Sequence, residues 1–226
     1  MKRLLLSYQL DGSTPVYGGT PKPLITPHTQ TSRGDSSNSY IITVHNHTGT
    51  HVDAPRHFMP DGKSISDYHI DDLIFNDPLI IECHKAQAEQ IVPGDISQQK
   101  IGGADCLLLR TGFGRFRGRE IYRTKNPSLS ADTILWLRRK FPAIRCIGID
   151  TISISSYQNR EEGRSAHRAA FMKGEDLNEP LIIIEDLNLN ALSSSDKLKK
   201  IIVIPWQLSG VDSAPCIVLA EVSRDE

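Results

Sequence analysis

Residues 45–58 read HNHTGTHVDAPRHF and hold four of the chain's eight histidines and one aspartate within fourteen positions. Imidazole is a poor core filler, and several of them in one short segment repel once protonated, so stability alone gives little reason for the cluster. A shared ligand does. The preceding SYIITVHN (39–46) reads as a strand entering the cluster, TGT bends the chain, and HVD puts His51 and Asp53 on one face by period-two alternation. His47, four residues before His51, reaches the same point if Gly49 lets the backbone kink. Two imidazoles and a carboxylate suit Zn²⁺ or Mn²⁺ and leave coordination positions open. Pro55 stiffens the exit, and His57 follows two residues later, near the ion without being obliged to bind it. An unmetallated imidazole there serves as general base or acid. His45 is read as a supporting residue rather than a ligand.

Working outward, short β-rich runs recur between turn signals: RLLLSYQL, SYIITVHN, DPLIIECH, ADCLLLRT, RCIGIDT, PLIIIED, KIIVIPWQL and CIVLAEVS. Most are branched and nearly continuous, as in strands covered on both faces, and this predicts a layered α/β core. SLSADTILWLRRKFP (128–142) is the clearest helix, with Ser130 as cap, Ile134, Leu135 and Leu137 as the apolar stripe, basic residues at its negative end and Pro142 beyond. SISDYHIDDLI and NLNALSS read as short helical turns. Three long loops are expected, at 11–39, 113–128 and 155–165, as lids or oligomer arms.

The bulk numbers narrow the class. A chain of 226 residues with no repeat or linker-like composition break is expected to be one domain, 1–226. Lys and Arg total 26 against 27 Asp and Glu, so no basic field exists to attract nucleic acid. The apolar run in MKRLLLSYQL is too short for a signal-peptide core, and no segment approaches the roughly 20 apolar residues of a membrane span. Cys83, Cys106, Cys146 and Cys216 lie far apart in aliphatic runs, which reads as core thiols in a reducing, cytoplasmic setting. Phosphate-loop, nucleophile-elbow and dinucleotide fingerprints are missing from the sequence.

The segment His47–His57 matches all seven fixed positions of His-x-Gly-Thr-His-x-Asp-x-Pro-x-His. It thereby resembles the putative cyclase family, which includes bacterial kynurenine formamidases (arylformamidases) and isatin hydrolases. The likeness extends to STPVYGGTPKP, GIDTISI, IIIEDLNL and IPWQLSGVDSAPCIVLA. The resemblance implies a swivelling β/β/α fold with a mixed sheet core, assembled as a homodimer or homotetramer. It implies a first metal on His47, His51 and Asp53, a second held by Asp53 with a downstream His and Glu, and His57 as proton shuttle. His167 and Glu185 fit that second pair. Glu179 lies nearer the spacing of many relatives, but it precedes Pro180 in a polar stretch, whereas Glu185 ends a buried strand.

Tyr17 stands where the formamidases carry a pocket-lining tryptophan, and reads as an aromatic wall for a planar substrate or as a loop anchor. Ser155 stands where many relatives have an aspartate. Asp150 is placed either to orient a metal-bound histidine or to cap the following turn. His28, His69 and His84 are expected to be surface or packing residues. The expectation is a hydrolase of a small amide, formamide or cyclic amide/lactone with one or two Zn or Mn ions per chain. In it the metal activates water and His57 moves the proton. The rival readings are a biosynthetic cyclase and a non-catalytic metal or small-ligand binding protein.

Overall fold

Alternate residues of the central strands face two different cores. In the computed structural model, which describes residues 1–224, Cys106 and Leu108 point into one apolar cluster while Leu107 and Leu109 point into another. The same alternation separates Ile182 and Ile184 from Ile183. Covering on both faces explains why these strands are apolar throughout rather than at every second position.

The strands in chain order are β1 (Lys2–Leu5), β2 (Leu24–Thr29), β3 (Ser39–Thr43), β4 (His51–Asp53), β5 (Ile74–Phe75), β6 (Pro78–Glu82) and β7 (Gln90–Ile91). They continue with β8 (Cys106–Arg110), β9 (Ser128–Leu129), β10 (Cys146–Ile149), β11 (Ile182–Glu185), β12 (Asp196–Pro205) and β13 (Ser213–Arg224). The main sheet runs β5-β12-β13-β4-β11-β10-β8-β6, with β1 also on β13, and is nearly closed. Strands β6, β8, β10 and β11 are parallel; β4, β12, β13 and β5 join antiparallel. The short β4 is therefore the seam between the two halves, with β11 on one side and β13 on the other. The first cluster fills the inside of the curved sheet; the second lies beneath the helices. This is the mixed α/β architecture expected.

The helices in chain order are α1 (Pro93–Ile96), α2 (Glu120–Thr124), α3 (Ala131–Lys140) and α4 (Arg160–Phe171). Helix α3 begins where the sequence places it, with Ser130 Oγ accepting from Thr133 N at 3.1 Å. The short turns Ile65–Asp67, Ile70–Leu73 and Leu189–Ala191 are also present. All three expected loops instead contain regular structure, in 113–128 the turn Phe113–Phe116 and helix α2 (Glu120–Thr124). The polar stretch 155–165 contains the start of a helix, α4 (Arg160–Phe171), capped by Asn159 with Glu161 and Glu162 in its first turn. Its buried residues are Gly163, Ala166, His167, Ala169, Ala170 and Phe171, four of them too small to give a strong apolar stripe. The stretch 11–39 contains β2, which pairs with β3 as an antiparallel arm bulged near Pro27. Leu24, Ile25, Tyr40, Ile41 and Ile42 of that arm are all exposed.

All four cysteines are free and buried. No helix among the described residues is long and apolar enough to cross a membrane.

Candidate metal centre

Register builds the site. Glu185 lies opposite His51, and Ile183 opposite Asp53, across the antiparallel β4–β11 pair. Val52 faces the inner core, so His51, Asp53 and Glu185 share the other face, toward α4. From α4, His167 enters between the core residues Ala166 and Ala170. His47 arrives from the bend before β4, where Gly49 holds φ 67°, a left-handed conformation that favours glycine.

The distances describe one cluster. His47 Nδ1 is 3.0 Å from Asp53 Oδ1, and His51 Nε2 is 3.5 Å from the same oxygen and 3.4 Å from Glu185 Oε2. His167 Nε2 is 3.4 Å from Glu185 Oε1 and 3.8 Å from Asp53 Oδ2. Donor atoms of His47, His51 and Asp53 all lie within 4.8 Å of one another.

Each buried imidazole is aimed by its other nitrogen. His51 Nδ1–H donates to Gly49 O at 2.8 Å; His167 Nδ1 lies 3.1 Å from Gly163 O and 2.9 Å from Ser155 Oγ. Both therefore present Nε2 to the cluster, an arrangement that fixes a histidine's ligating atom. Glu185 Oε1 accepts from Ser153 Oγ at 3.0 Å and Ile154 N at 2.7 Å. The stacked Phe58 ring, 5.0 Å from His167, closes one side with carbon.

The charges are strongly coupled. Burial would raise the Asp53 carboxyl and lower His47, but their mutual attraction wins: Asp53 is held well below the usual carboxylate range, and His47 is raised to about 10. Against the same burial, the facing His167 and His51 rings bring Glu185 down to about 2.

A divalent cation fits this donor set. His51 Nε2 and both Asp53 oxygens are buried with no hydrogen-bond partner among the described residues, which is expensive for a carboxylate unless something else occupies the gap. Tetrahedral ligands at about 2.0–2.2 Å from an ion sit about 3.3–3.6 Å apart. The His51–Asp53 and His167–Glu185 spacings fall in that interval, and His47–Asp53 at 3.0 Å and His167–Asp53 at 3.8 Å lie just to either side of it.

The fold thus brings together His47, His51, Asp53, His167 and Glu185. His57, in the turn Pro55–His57, lies with its ring 4.1 Å from that of His47 and 5.5 Å from that of His167. Glu179 instead lines a separate cavity of about 570 Å³, with Tyr68, Arg145 and Phe171, into which none of the five cluster residues opens. Tyr17 is anchored through its hydroxyl to Ser156 O at 3.1 Å, with its ring edge-on to Tyr157, and burial pushes its phenol up to about 12, Glu185 adding to the effect. Asp150 does not reach the cluster: its carboxylate accepts from Thr111 N, Thr111 Oγ and Gly112 N and secures that turn. His45 is exposed and touches His47 only from outside, while His28, His69 and His84 are on the surface.

One residue absent from the sequence-based set stands in the site. Asp212, the aspartate of SGVDSAP just before β13, contacts both His47 and His57. Hydrogen bonds from those two imidazoles outweigh burial and hold its carboxyl far below the usual range. Its signal was its place in the C-terminal stretch that resembles the family's pattern.

Residues 4–156 match the family model described as putative cyclase. A kynurenine formamidase of Bacillus cereus is 31% identical over 175 residues, covering 77% of this chain and 75% of the relative. An uncharacterised protein of Haemophilus influenzae is 31% identical over 115 residues, 49% of this chain and 81% of the relative. Among solved structures, a potential metal-dependent hydrolase with cyclase activity superposes with TM-score 0.76 at 25% identity over 100% of this chain and 99% of that one. In fold, the chain is also similar to isatin hydrolase A from Labrenzia aggregata bound to benzyl benzoate, with TM-score 0.81 and 20% identity over 99% and 94% of the two chains.

Proposed function

Because this chain belongs to the putative cyclase family, we propose that it is a metal-dependent hydrolase of a small amide, formamide or cyclic amide/lactone, arylformamidase-like in its chemistry. The observation that carries the reading is the buried set of unsatisfied donor atoms on His51 and Asp53, facing Glu185 and His167. His47, His51 and Asp53 would hold one divalent ion, and His167 and Glu185, with Asp53 between, a second. Nitrogen and carboxylate donors of this kind suit zinc or manganese. When bound, such an ion supplies Lewis-acid chemistry, acidifying water and polarising a carbonyl.

The chain's own residues supply the rest. In hydrolysis of an amide a C–O bond forms, the C–N bond breaks, and one proton must pass from water to the leaving nitrogen. His57 is the group for that transfer, since it stands beside the cluster without needing to join it. A positioned base of this kind contributes about 10²–10⁴-fold. Phe58 keeps the side of the cluster near His167 dry, and Tyr17 offers an aromatic wall to a planar substrate.

In this reading the chain acts as one domain, 1–226, in a reducing cytoplasm where its four free thiols persist. The exposed apolar arm β2–β3, rooted four residues before His47, is the surface through which copies would associate into a homodimer or homotetramer.

The test is to measure metal content and turnover of N-formylkynurenine, isatin and a panel of small lactones, for the wild type and for His51→Ala and Asp53→Ala. Both variants are expected to lose metal and turnover together. Turnover that survives in metal-free protein refutes the reading.

A further inference from the structure

Asp212 precedes β13, and its carbonyl accepts from Ala54 N at 2.9 Å, tying it to the exit of β4. Its side chain spends its two oxygens differently. Oδ1 accepts from Asn46 Nδ2 at 2.8 Å. Oδ2 lies 2.9 Å from His47 Nε2 and 2.8 Å from His57 Nδ1. A carboxylate has nothing to donate, so both of those ring nitrogens must carry the hydrogen. That one constraint decides two tautomers. For His47 it makes Nδ1, the atom 3.0 Å from Asp53 Oδ1, the nitrogen that would shed its hydrogen when a metal binds. For His57 it leaves Nε2 as the bare acceptor.

We propose that Asp212 is a positioning residue: by accepting from His57 Nδ1–H it holds the base with Nε2 free to take a proton, and the same oxygen locks His57 in register with His47. The inference rests on the hydrolase reading for its effect on rate, but the geometry stands without it. Asn46 completes the device by holding the carboxylate from its far side, so that Oδ2 cannot swing away from the two rings. His47 and His57 consequently lie at 4.1 Å between centroids with a 38° tilt, too far from coplanar to be a simple stack.

The decisive measurement uses ¹⁵N-histidine NMR on the zinc-loaded wild type, with His57 identified by its missing signals in His57→Gln. His57 should be the Nδ1–H tautomer and His47 the Nε2–H tautomer; the reverse at either ring overturns the proposal without any Asp212 variant having to fold. In Asp212→Ala the His57 preference should vanish, and zinc should bind about 10–100-fold more weakly because His47 loses the acceptor that aims it, yet still fill the site when zinc is in excess. A site that stays empty at saturating zinc would make Asp212 a ligand instead. Asp212→Asn keeps the volume but has one oxygen for the three donors of Asn46, His47 and His57, so it should not hold both rings in the wild-type tautomers. With a turned-over substrate, Asp212→Ala should lower kcat about 10²-fold with KM within about threefold, and His57→Gln/Asp212→Ala should be no slower than His57→Gln alone. Additive losses refute action through His57. If no substrate is ever turned over, the hydrolase reading fails while the tautomer and zinc results still decide the role of Asp212.

Discussion

Gly163 tests whether close packing, rather than chemistry alone, aims His167. A Cβ built there would lie 2.5 Å from Ser155 Cβ, 2.6 Å from Ser155 Oγ and 3.0 Å from Ser155 Cα. Ordinary contact between such atoms needs about 3.5–4.0 Å, so Gly163→Ala must push α4 and the Ser155 loop apart by about 1 Å. Ser155 Oγ and Gly163 O are the two groups that hold His167 Nδ1, and the substitution wedges between them. Overpacking costs about 1–3 kcal/mol, and alanine's better helix propensity returns about 1, so stability should fall by about 0–2 kcal/mol. The larger effect is expected on metal. Disturbing the partner that orients a ligating histidine weakens binding about 10–100-fold. Calorimetric titration with Zn²⁺ beside differential scanning calorimetry separates the two effects. Ser155→Gly in the Gly163→Ala background removes the two closest atoms and should recover stability without recovering the hydroxyl's contact. An alanine variant that melts higher and binds zinc as tightly as the wild type would refute the steric argument.

Other substitutions separate roles within the cluster. His57→Ala should keep its metal and lose about 10²–10⁴-fold in kcat, checked by elemental analysis and steady-state kinetics; loss of metal would make His57 a ligand. Glu185→Ala should reduce bound metal and activity, while Glu179→Ala, which alters only the separate cavity, should change neither. Arg117→Ala leaves the buried Asp186 carboxylate, which Arg117 grips at 2.7 Å, with only the Tyr122 hydroxyl among its charge-facing partners, at a cost of about 3 kcal/mol in denaturant unfolding, the low end for breaking a buried pair. For chelated protein, the direction of pH dependence follows from two shifts. Glu185 falls from 4.5 to about 2, so its contribution is present above pH 4.5 and is lost as pH drops toward 2. His47 rises from 6.5 to about 10, so its contribution is complete below pH 6.5 and is lost as pH climbs toward 10. The melting temperature in chelator should therefore peak between those limits, and bound metal should remove the alkaline loss, because the ion takes the place of the His47 proton.

What could be read from the sequence was whatever has a short period. The alternation in HVD set His51 and Asp53 on one face, and the branched runs marked strands buried on both sides; register then carried Glu185 to His51. The choice of Glu185 over Glu179 rested on its place at a strand end, and the fold brings it, not Glu179, to the cluster. The signals that failed were those in which the informative residues are small or distant. Helix α4 hides its buried face in glycine and alanine, so its polar side dominated the reading, and yet that smallness is what lets it approach Ser155 closely enough to deliver His167. The arm β2–β3 breaks the usual inside–outside pattern because its apolar residues face outward, and no periodicity within one chain can anticipate a surface that is exposed on both sides. Asp212 has neither period nor neighbours of its own kind: 155 residues separate it from His57, and only the pairing of β13 with β4 brings them within 2.8 Å. Of the proposed metal ligands, His47, His51 and Asp53 thus come from one bent segment, whereas Glu185 and His167 arrive by register and helix packing. Asp212 depends on the β13–β4 register as well, and because that register also pairs Ser213 with Asp53 and Pro215 with His51, a variant that shifts β13 should disturb zinc affinity and the His57 tautomer together, read by calorimetric titration and ¹⁵N-histidine NMR.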